Sequence, residues 1–261
     1  MNGKLKVCLI LEKFDNGAFT PCAYIRVLLP YLYHKNADIR IASTVSEIPT
    51  DTSLVVLHRN SIHCLDEIVK LHKYCKENGI KHVYDIDDDL LIIDENHASF
   101  NFIYNKIDSV LFNLKHCNEL TVSTQILKAR YSQYNDNITV VENKLCGNLW
   151  NLSRTKNYKV VTANKEPISL LYMGTHTHHD DFLLVYEALK EIKKIYKEKI
   201  SIHLMGISDR KFTDQWIVRE NFSPYSYSYP QCVRELVKRK GTYTIGLAPL
   251  VNNHFNNAKS R

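Results

Sequence analysis

The feature that most constrains this chain is the repeated alternation of short apolar runs with longer amphipathic stretches. Leu54–His58 is an apolar run of strand length, and residues 62–78 follow it with apolar side chains at helical spacing. Gly79 is placed to end that helix. Because strands that alternate with amphipathic helices form parallel sheets covered by helices, the sequence predicts an α/β fold.

The alternation occurs as two series. Predicted strands of the first series are 6–11, 38–42, 54–58, 81–84, 119–122 and 138–141, and its predicted helices are 23–33, 62–78, 103–116 and 125–131. The periodicity fades over residues 142–165. The second series has predicted strands 168–172, 200–205 and 243–248 and predicted helices 180–196 and 231–240. We therefore predict two domains, residues 1–150 and 151–261.

Several classes of protein are disfavoured. No apolar run approaches the ~20 residues of a membrane span, and Glu12 ends the first run before it reaches the length of a signal-peptide core. The seven cysteines include no Cys-x-x-Cys pair, which is typical of reduced thiols rather than of a disulfide framework or a zinc knuckle. These features favour a cytoplasmic protein.

Charge is distributed unevenly along the chain. Residues 1–150 contain 16 Lys and Arg against 18 Asp and Glu, whereas residues 151–261 contain 18 against 10. A basic second half suits an anionic ligand or an anionic membrane surface. The alternative is a solvated, lysine-rich helix surface, because much of the excess lies in residues 190–199.

The first candidate site lies where a strand of the second series ends and a helix begins. Gly174 follows that strand, and glycine lets a backbone approach a ligand closely. The N–H groups of a helix N-terminus attract phosphate. The alternative is that Thr177 and Asp180 only cap the helix, and the histidines here lack a clear set of carboxylate partners for a metal.

Four carboxylates form the second candidate site, and a lysine forms the third. Asp85, Asp87, Asp88 and Asp89 follow a predicted strand, where they would repel one another without a cation or basic partners. They suit a divalent ion that bridges a nucleotide diphosphate, or else they are solvated loop acids. Lys259 lies in a polar loop after the last strand, where a cation can neutralise a diphosphate, unless it is an ordinary surface lysine.

In this order, these stretches resemble the two-domain GT-B glycosyltransferases of the large retaining group that includes family four, and bacterial polysaccharide-type members most of all. The stretches that carry the resemblance are residues 24–30, 58–59, 84–90, 123–124, Asn143, Trp150, 172–181, 246–250 and 255–260. The resemblance implies two Rossmann-like domains that face a cleft, with the acceptor on the first and the nucleotide sugar on the second. It also implies sugar transfer with retention of configuration.

The resemblance also implies site residues and partners. Donor-binding residues would be Gly174, Thr175, His178, Asn256, Lys259 and Ser260, and residues of the cleft near the acceptor would be Arg59, Asp87, Asp88 and Asp89. No metal and no cofactor other than the nucleotide-sugar substrate are expected. The acceptor would be a saccharide or a lipid-linked saccharide. A lipid-linked acceptor would bring the protein into peripheral contact with the inner face of the membrane. No nucleic-acid partner is expected.

The chain departs from the family at its end. In the family, a further lysine and a helix with a ribose-binding glutamate follow the Lys-Ser pair, whereas this sequence ends at Arg261. We therefore expect an incomplete second domain. The alternative is an inactive remnant or interaction module with the same fold. A metal-dependent GT-A transferase using Asp85 and Asp87 is a third reading, which the second series after Ile168 disfavours.

Overall fold

The structure is a computed structural model that describes residues 4–92, 100–150, 167–206, 212, 214–220, 228–239 and 241–260. It divides into two compact units. Unit 1 comprises Met1–Cys146 and His254–Arg261, and unit 2 comprises Gly147–Asn253. The division differs from the predicted domains mainly at residues 254–260, which group with unit 1. The predicted crossing between domains, residues 142–165, lies largely outside the described residues.

Each unit is built on a parallel sheet. The strands are β1 Leu5–Ile10, β2 Ala37–Ala42, β3 Leu54–His58, β4 Lys81–Ile86, β5 Glu119–Val122, β6 Ile138–Val140, β7 Ile168–Met173, β8 Ile200–Met205, β9 Ile217–Glu220 and β10 Ile245–Leu247. Among the described residues, the order is β2-β1-β3-β4-β5-β6 in unit 1 and β10-β7-β8-β9 in unit 2. All of the pairings between these strands are parallel. The predicted α/β fold is confirmed.

Helices connect the strands. They are α1 Leu29–Leu32, α2 Leu65–Glu77, α3 Phe100–Tyr104, α4 Ile107–His116, α5 Gln125–Tyr131, α6 Gly147–Trp150, α7 His179–Tyr196, α8 Tyr229–Lys238 and α9 His254–Asn257. A π-helix, Ala23–Leu28, precedes α1. The predicted helix 23–33 is therefore not a regular α-helix, because Pro30 has no N–H to continue the α-helical pattern. No described helix combines the length and the apolar character that a membrane span requires.

Apolar packing on both faces of the unit 1 sheet explains its uninterrupted apolar strands. In β1, Cys8 and Ile10 pack into one core with α2, α4 and α5. Val7 and Leu9 point to the opposite face and pack with Val27 of the π-helix. In unit 2 the corresponding core joins the sheet to α7. Polar residues that could contact a ligand are therefore expected mainly at the ends of the strands.

Candidate functional site

The carboxyl ends of β1, β3 and β4 meet at one edge of the unit 1 sheet. In this sheet, β2 lies on one side of β1 and all later strands lie on the other side. The topological switch point therefore lies between β1 and β3. In parallel α/β sheets, ligands bind outside the carboxyl ends at such a switch point. Glu12 follows β1 and Arg59 follows β3, so both belong to this edge.

Arg59 is the centre of the switch-point cluster, which consists of Glu12, Arg59, Asp87 and Asp88. Its guanidinium lies 3.5 Å from the Glu12 carboxylate, 3.1 Å from Asp87 and 3.2 Å from Asp88. Arg59 has a φ of 47°, in the left-handed region, and its backbone N–H donates to Asp85 O at 2.8 Å. Three carboxylates thus converge on one cation at the edge where a ligand would bind.

Burial and charge compete in this cluster. Burial raises the pKa of Glu12, although Arg59 opposes the shift. Burial also acts to raise the pKa of Asp87, but Arg59 and other neighbouring groups together outweigh burial, so the net pKa of Asp87 is lowered. Burial lowers the pKa of the nearby Lys106 ammonium to about 8, against the attraction of Glu12. The edge therefore holds a carboxyl and an amine whose pKa values are displaced toward neutrality, as at many functional sites.

His58 and Cys22 complete the surroundings of the cluster. His58 ends β3, is fully buried, and makes no hydrogen bond through either ring nitrogen within the described chain. Burial lowers its pKa to about 3. Burial also raises the pKa of the Cys22 thiol well above its usual range. Glu12, Cys22 and Lys106 are not among the site residues predicted from the sequence, although the position of Glu12 close after β1 was a usable signal.

Asp85 forms a separate buried ion pair. Arg26 donates to its two carboxylate oxygens, at 3.1 Å from Nε and 2.6 Å from Nη2. Thr121 of β5 donates to the same carboxylate at 2.6 Å. Arg26 also donates to Val141 O and, at 3.0 Å, to Asn143 Oδ1. Arg26 therefore connects the π-helix to β4 and to the segment that follows β6, and Asp85 lies in a structural contact.

Asp89 is likewise neutralised by an arginine. The Arg130 guanidinium lies 2.6 Å from Asp89 Oδ2, and the Tyr131 hydroxyl donates to Asp89 Oδ1 at 3.1 Å. Arg130 also donates to His254 O at 2.9 Å. The interpretation of residues 85–89 as solvated loop acids is therefore wrong, because Asp85, Asp87 and Asp89 are buried. Nor do the described residues include a group of three or more His, Cys, Asp or Glu arranged to hold a metal.

The C-terminal segment packs against the start of α5. Thr124 caps that helix by accepting from Leu127 N, and its hydroxyl donates to Ala258 O at 2.9 Å. Ala258 is fully buried, and the Lys259 ammonium lies 4.8 Å from the centre of the Phe255 ring. Unit 1 thus contains Asn256, Lys259 and Ser260, three residues predicted to contact the donor.

The other predicted donor residues lie in unit 2, at the junction of β7 and α7. A Cβ atom at Gly174 would lie 2.9 Å from His178 Cβ, so the turn requires glycine. The hydroxyls of Thr175 and Thr177 are 2.7 Å apart. His178 Nδ1 lies 2.7 Å from Asp181 Oδ2, and because a carboxylate can only accept, Nδ1 carries the proton. In a neutral ring, Nε2 is then the acceptor.

Asp181 also connects this turn to the loop after β10. Its second oxygen accepts from Val251 N at 2.7 Å, and the side chain is buried. Asp181 therefore holds together the carboxyl ends of β7 and β10, which are neighbours in the unit 2 sheet. This role is not evident from the sequence, in which Asp180 and Asp181 stand side by side at the start of the predicted helix.

We expect Asp181→Ala to lower the free energy of unfolding of unit 2 by about 2–3 kcal/mol, because it leaves His178 and the Val251 N–H without their shared acceptor. Both tryptophans, Trp150 and Trp216, belong to unit 2, so urea unfolding followed by tryptophan fluorescence reports on this unit.

The matched control is Asp180→Ala, which removes the adjacent exposed carboxylate of the same helical turn. We expect it to change the free energy of unfolding by about 0.5 kcal/mol or less. Equal losses for the two variants would show that Asp181 acts only through the helix dipole.

No protein-family model and no curated protein matches the chain. Among solved structures, it is similar to pyruvate kinase from Pyrobaculum aerophilum, with 10% sequence identity and a TM-score of 0.20 over 80% of this chain. The chain spans 59% of that protein's length. A similarity at this TM-score carries no argument about fold or function.

Proposed function

We propose that the chain is a retaining GT-B glycosyltransferase that transfers a sugar from a nucleotide-activated donor to a saccharide or lipid-linked acceptor. The observation that carries the proposal is the placement of the predicted motifs at the carboxyl ends of two parallel sheets. Arg59, Asp87 and Asp88 lie at the switch point of unit 1, and Gly174 and His178 lie at the β7–α7 turn of unit 2. Ligands of α/β proteins bind at these ends.

The β7–α7 turn supports a role in binding the donor. Gly174 keeps the start of the turn free of a side chain, and a diphosphate there would approach backbone N–H groups near the N-terminus of an 18-residue helix. His178, oriented by Asp181, would present Nε2 to a sugar hydroxyl. Catalysis would then rest on positioning and on stabilisation of the leaving diphosphate.

The switch-point cluster supports a role in binding the acceptor. Arg59 is shared by Glu12, Asp87 and Asp88, so the edge displays carboxylate oxygens that accept hydrogen bonds from sugar hydroxyls. Burial raises the pKa of Glu12, which suits this carboxyl to exchange a proton with the acceptor. Asp85 and Asp89 would support the site rather than contact the acceptor.

The test is calorimetric titration with UDP, GDP, dTDP and their glucose or mannose conjugates. Gly174→Val is expected to weaken the binding of the productive nucleotide sugar about tenfold or more, since the added side chain meets His178. Gly147→Val is the control, because a Cβ there meets no atom within 4 Å. Failure of every nucleotide and conjugate to bind would reject the proposal.

The second candidate function is an interaction module with the same fold and no turnover. It is favoured by the occupation of the carboxylates of residues 85–89 by Arg26, Arg59 and Arg130. Release of free nucleoside diphosphate in the presence of mixed glycan acceptors would reject it. Binding of a nucleotide sugar without any such release would favour it over the transferase.

A further inference from the structure

A cavity of about 880 Å³ opens at the edge of the unit 1 sheet opposite the switch-point cluster. It lies between α2, α4 and the amino end of β4, where Lys81 and His82 begin the strand. Its volume is in the range of sites that bind small organic ligands. The candidate site lies at the carboxyl end of the same strand, so the two sites are separate.

The described lining of this cavity is basic. It includes Lys73, Lys76 and Lys81 and contains no Asp or Glu. Lys81 forms an ion pair with Glu119 at 2.7 Å, and Lys73 lies 3.8 Å from Glu77. Lys76 forms no ion pair within the described chain. The cavity therefore has one cation whose charge is not offset by a neighbouring carboxylate, which favours an anionic ligand.

Flat rings form one wall of the cavity. His72 and Phe112 have ring centroids 5.1 Å apart in an edge-to-face arrangement, and Phe112 and His116 are 4.3 Å apart. His72 is fixed by Asn113, whose Oδ1 lies 3.0 Å from His72 Nε2. A wall of ordered aromatic and imidazole rings suits a planar or apolar body that packs against it.

His82 is a buried polar side chain in the lining of the cavity. Only 2% of its surface is exposed, and neither ring nitrogen has a hydrogen-bond partner among the described residues. Its backbone is held by Asn118, whose Oδ1 accepts from His82 N at 2.7 Å. A neutral imidazole always carries one donor and one acceptor, and buried polar groups normally have partners. A ligand oxygen in the cavity would supply one.

We propose that this cavity binds a small organic anion, with a ring-sized apolar body and one phosphate or carboxylate group. The body packs against His72, Phe112 and His116, the anionic group pairs with Lys76, and an oxygen of the ligand accepts a hydrogen bond from His82. The site is independent of the nucleotide-sugar site, so a protein that binds no nucleotide sugar would still bind such an anion.

The experiment measures the binding of phenyl phosphate and benzoate to the full chain, by calorimetry and by the ring ¹⁵N resonances of His82. Inorganic phosphate and benzyl alcohol serve as probes of the anion and the ring alone. We expect one of the two ring-bearing anions to bind more tightly than both of these and to shift the His82 resonances. Phosphate and carboxylate ligands are distinguished by which of the two binds.

Lys76→Gln tests the anion contact, and Lys70→Gln is its control. We expect Lys76→Gln to weaken binding about tenfold, as for loss of a charge-assisted hydrogen bond. Lys70 lies on the same helix, is exposed and does not line the cavity, so its substitution should leave binding unchanged. Equal weakening by both variants, or inorganic phosphate binding as tightly as phenyl phosphate, would show that binding depends only on surface charge and would overturn the proposal. Unchanged His82 resonances with every probe would overturn it as well.

Discussion

Acidification from pH 7 to pH 4.5 is expected to remove about 5 kcal/mol of the free energy of unfolding of unit 1 through two buried histidines. Burial lowers the pKa of His58 to about 3 and that of His82 to about 3. In the unfolded chain, each imidazole titrates near its ordinary pKa of about 6.5. Each therefore contributes about half of the expected loss.

Stability falls on acidification because the unfolded state binds the proton and the folded state does not. Between pH 6.5 and pH 3, the unfolded chain takes up a proton at each of these histidines and the folded chain does not. Protons therefore favour unfolding, and stability is lost as the pH falls through this window. The stability conferred by the neutral, buried rings is fully present above pH 6.5. The same rings make the ligand-free unit 1 acid-sensitive.

His82→Phe tests this account, because it keeps a ring at the site and removes the titration. We expect the variant to lose about half of the pH dependence, measured as amide hydrogen exchange of β3 and β4 in unit 1. His34→Phe, at an exposed site, is the control for the loss of a histidine. An unchanged pH dependence in His82→Phe would show that His82 is protonated in the folded protein.

The sequence predicted most of the strands because they are buried on both faces. Leu54–His58 is an uninterrupted apolar run whose five residues are all buried, so its pattern left little ambiguity. β9 was missed because its four residues, Ile217–Glu220, are half polar and lie at an edge of the sheet. The local sequence pattern thus located the central strands better than the edge strand β9.

The candidate site was harder to predict because its partners are distant in sequence. The alternation of Asp85, Asp87 and Asp89 placed carboxylates at a strand end, and this position is correct. Their three arginine partners lie 59, 28 and 41 residues away, so no local spacing reveals the pairing. The spacing of these acids suggested a cation site, but in the structure they form ion pairs with three arginines.

Arg26→Met is expected to lower the free energy of unfolding of unit 1 by about 3–5 kcal/mol, because it leaves the buried Asp85 carboxylate without its cation. Among the described side chains, Thr121 alone would remain as a donor to Asp85. Burial already raises the pKa of Asp85 against the opposing effect of Arg26, and loss of Arg26 removes that opposition. Asp85 would then take up a proton on folding, so the loss should be smaller at pH 4 than at pH 7.

Two variants give this prediction its controls. Arg40→Met removes an exposed arginine that pairs with Asp38 at 2.8 Å, and we expect it to change stability by about 1 kcal/mol or less. The double variant Arg26→Met/Asp85→Leu replaces the buried pair with apolar side chains and should recover most of the stability lost by Arg26→Met alone. If the double variant recovers none of the lost free energy of unfolding, Arg26 stabilises unit 1 through Val141 and Asn143 instead. The pairing with Asp85 would then not contribute to folding.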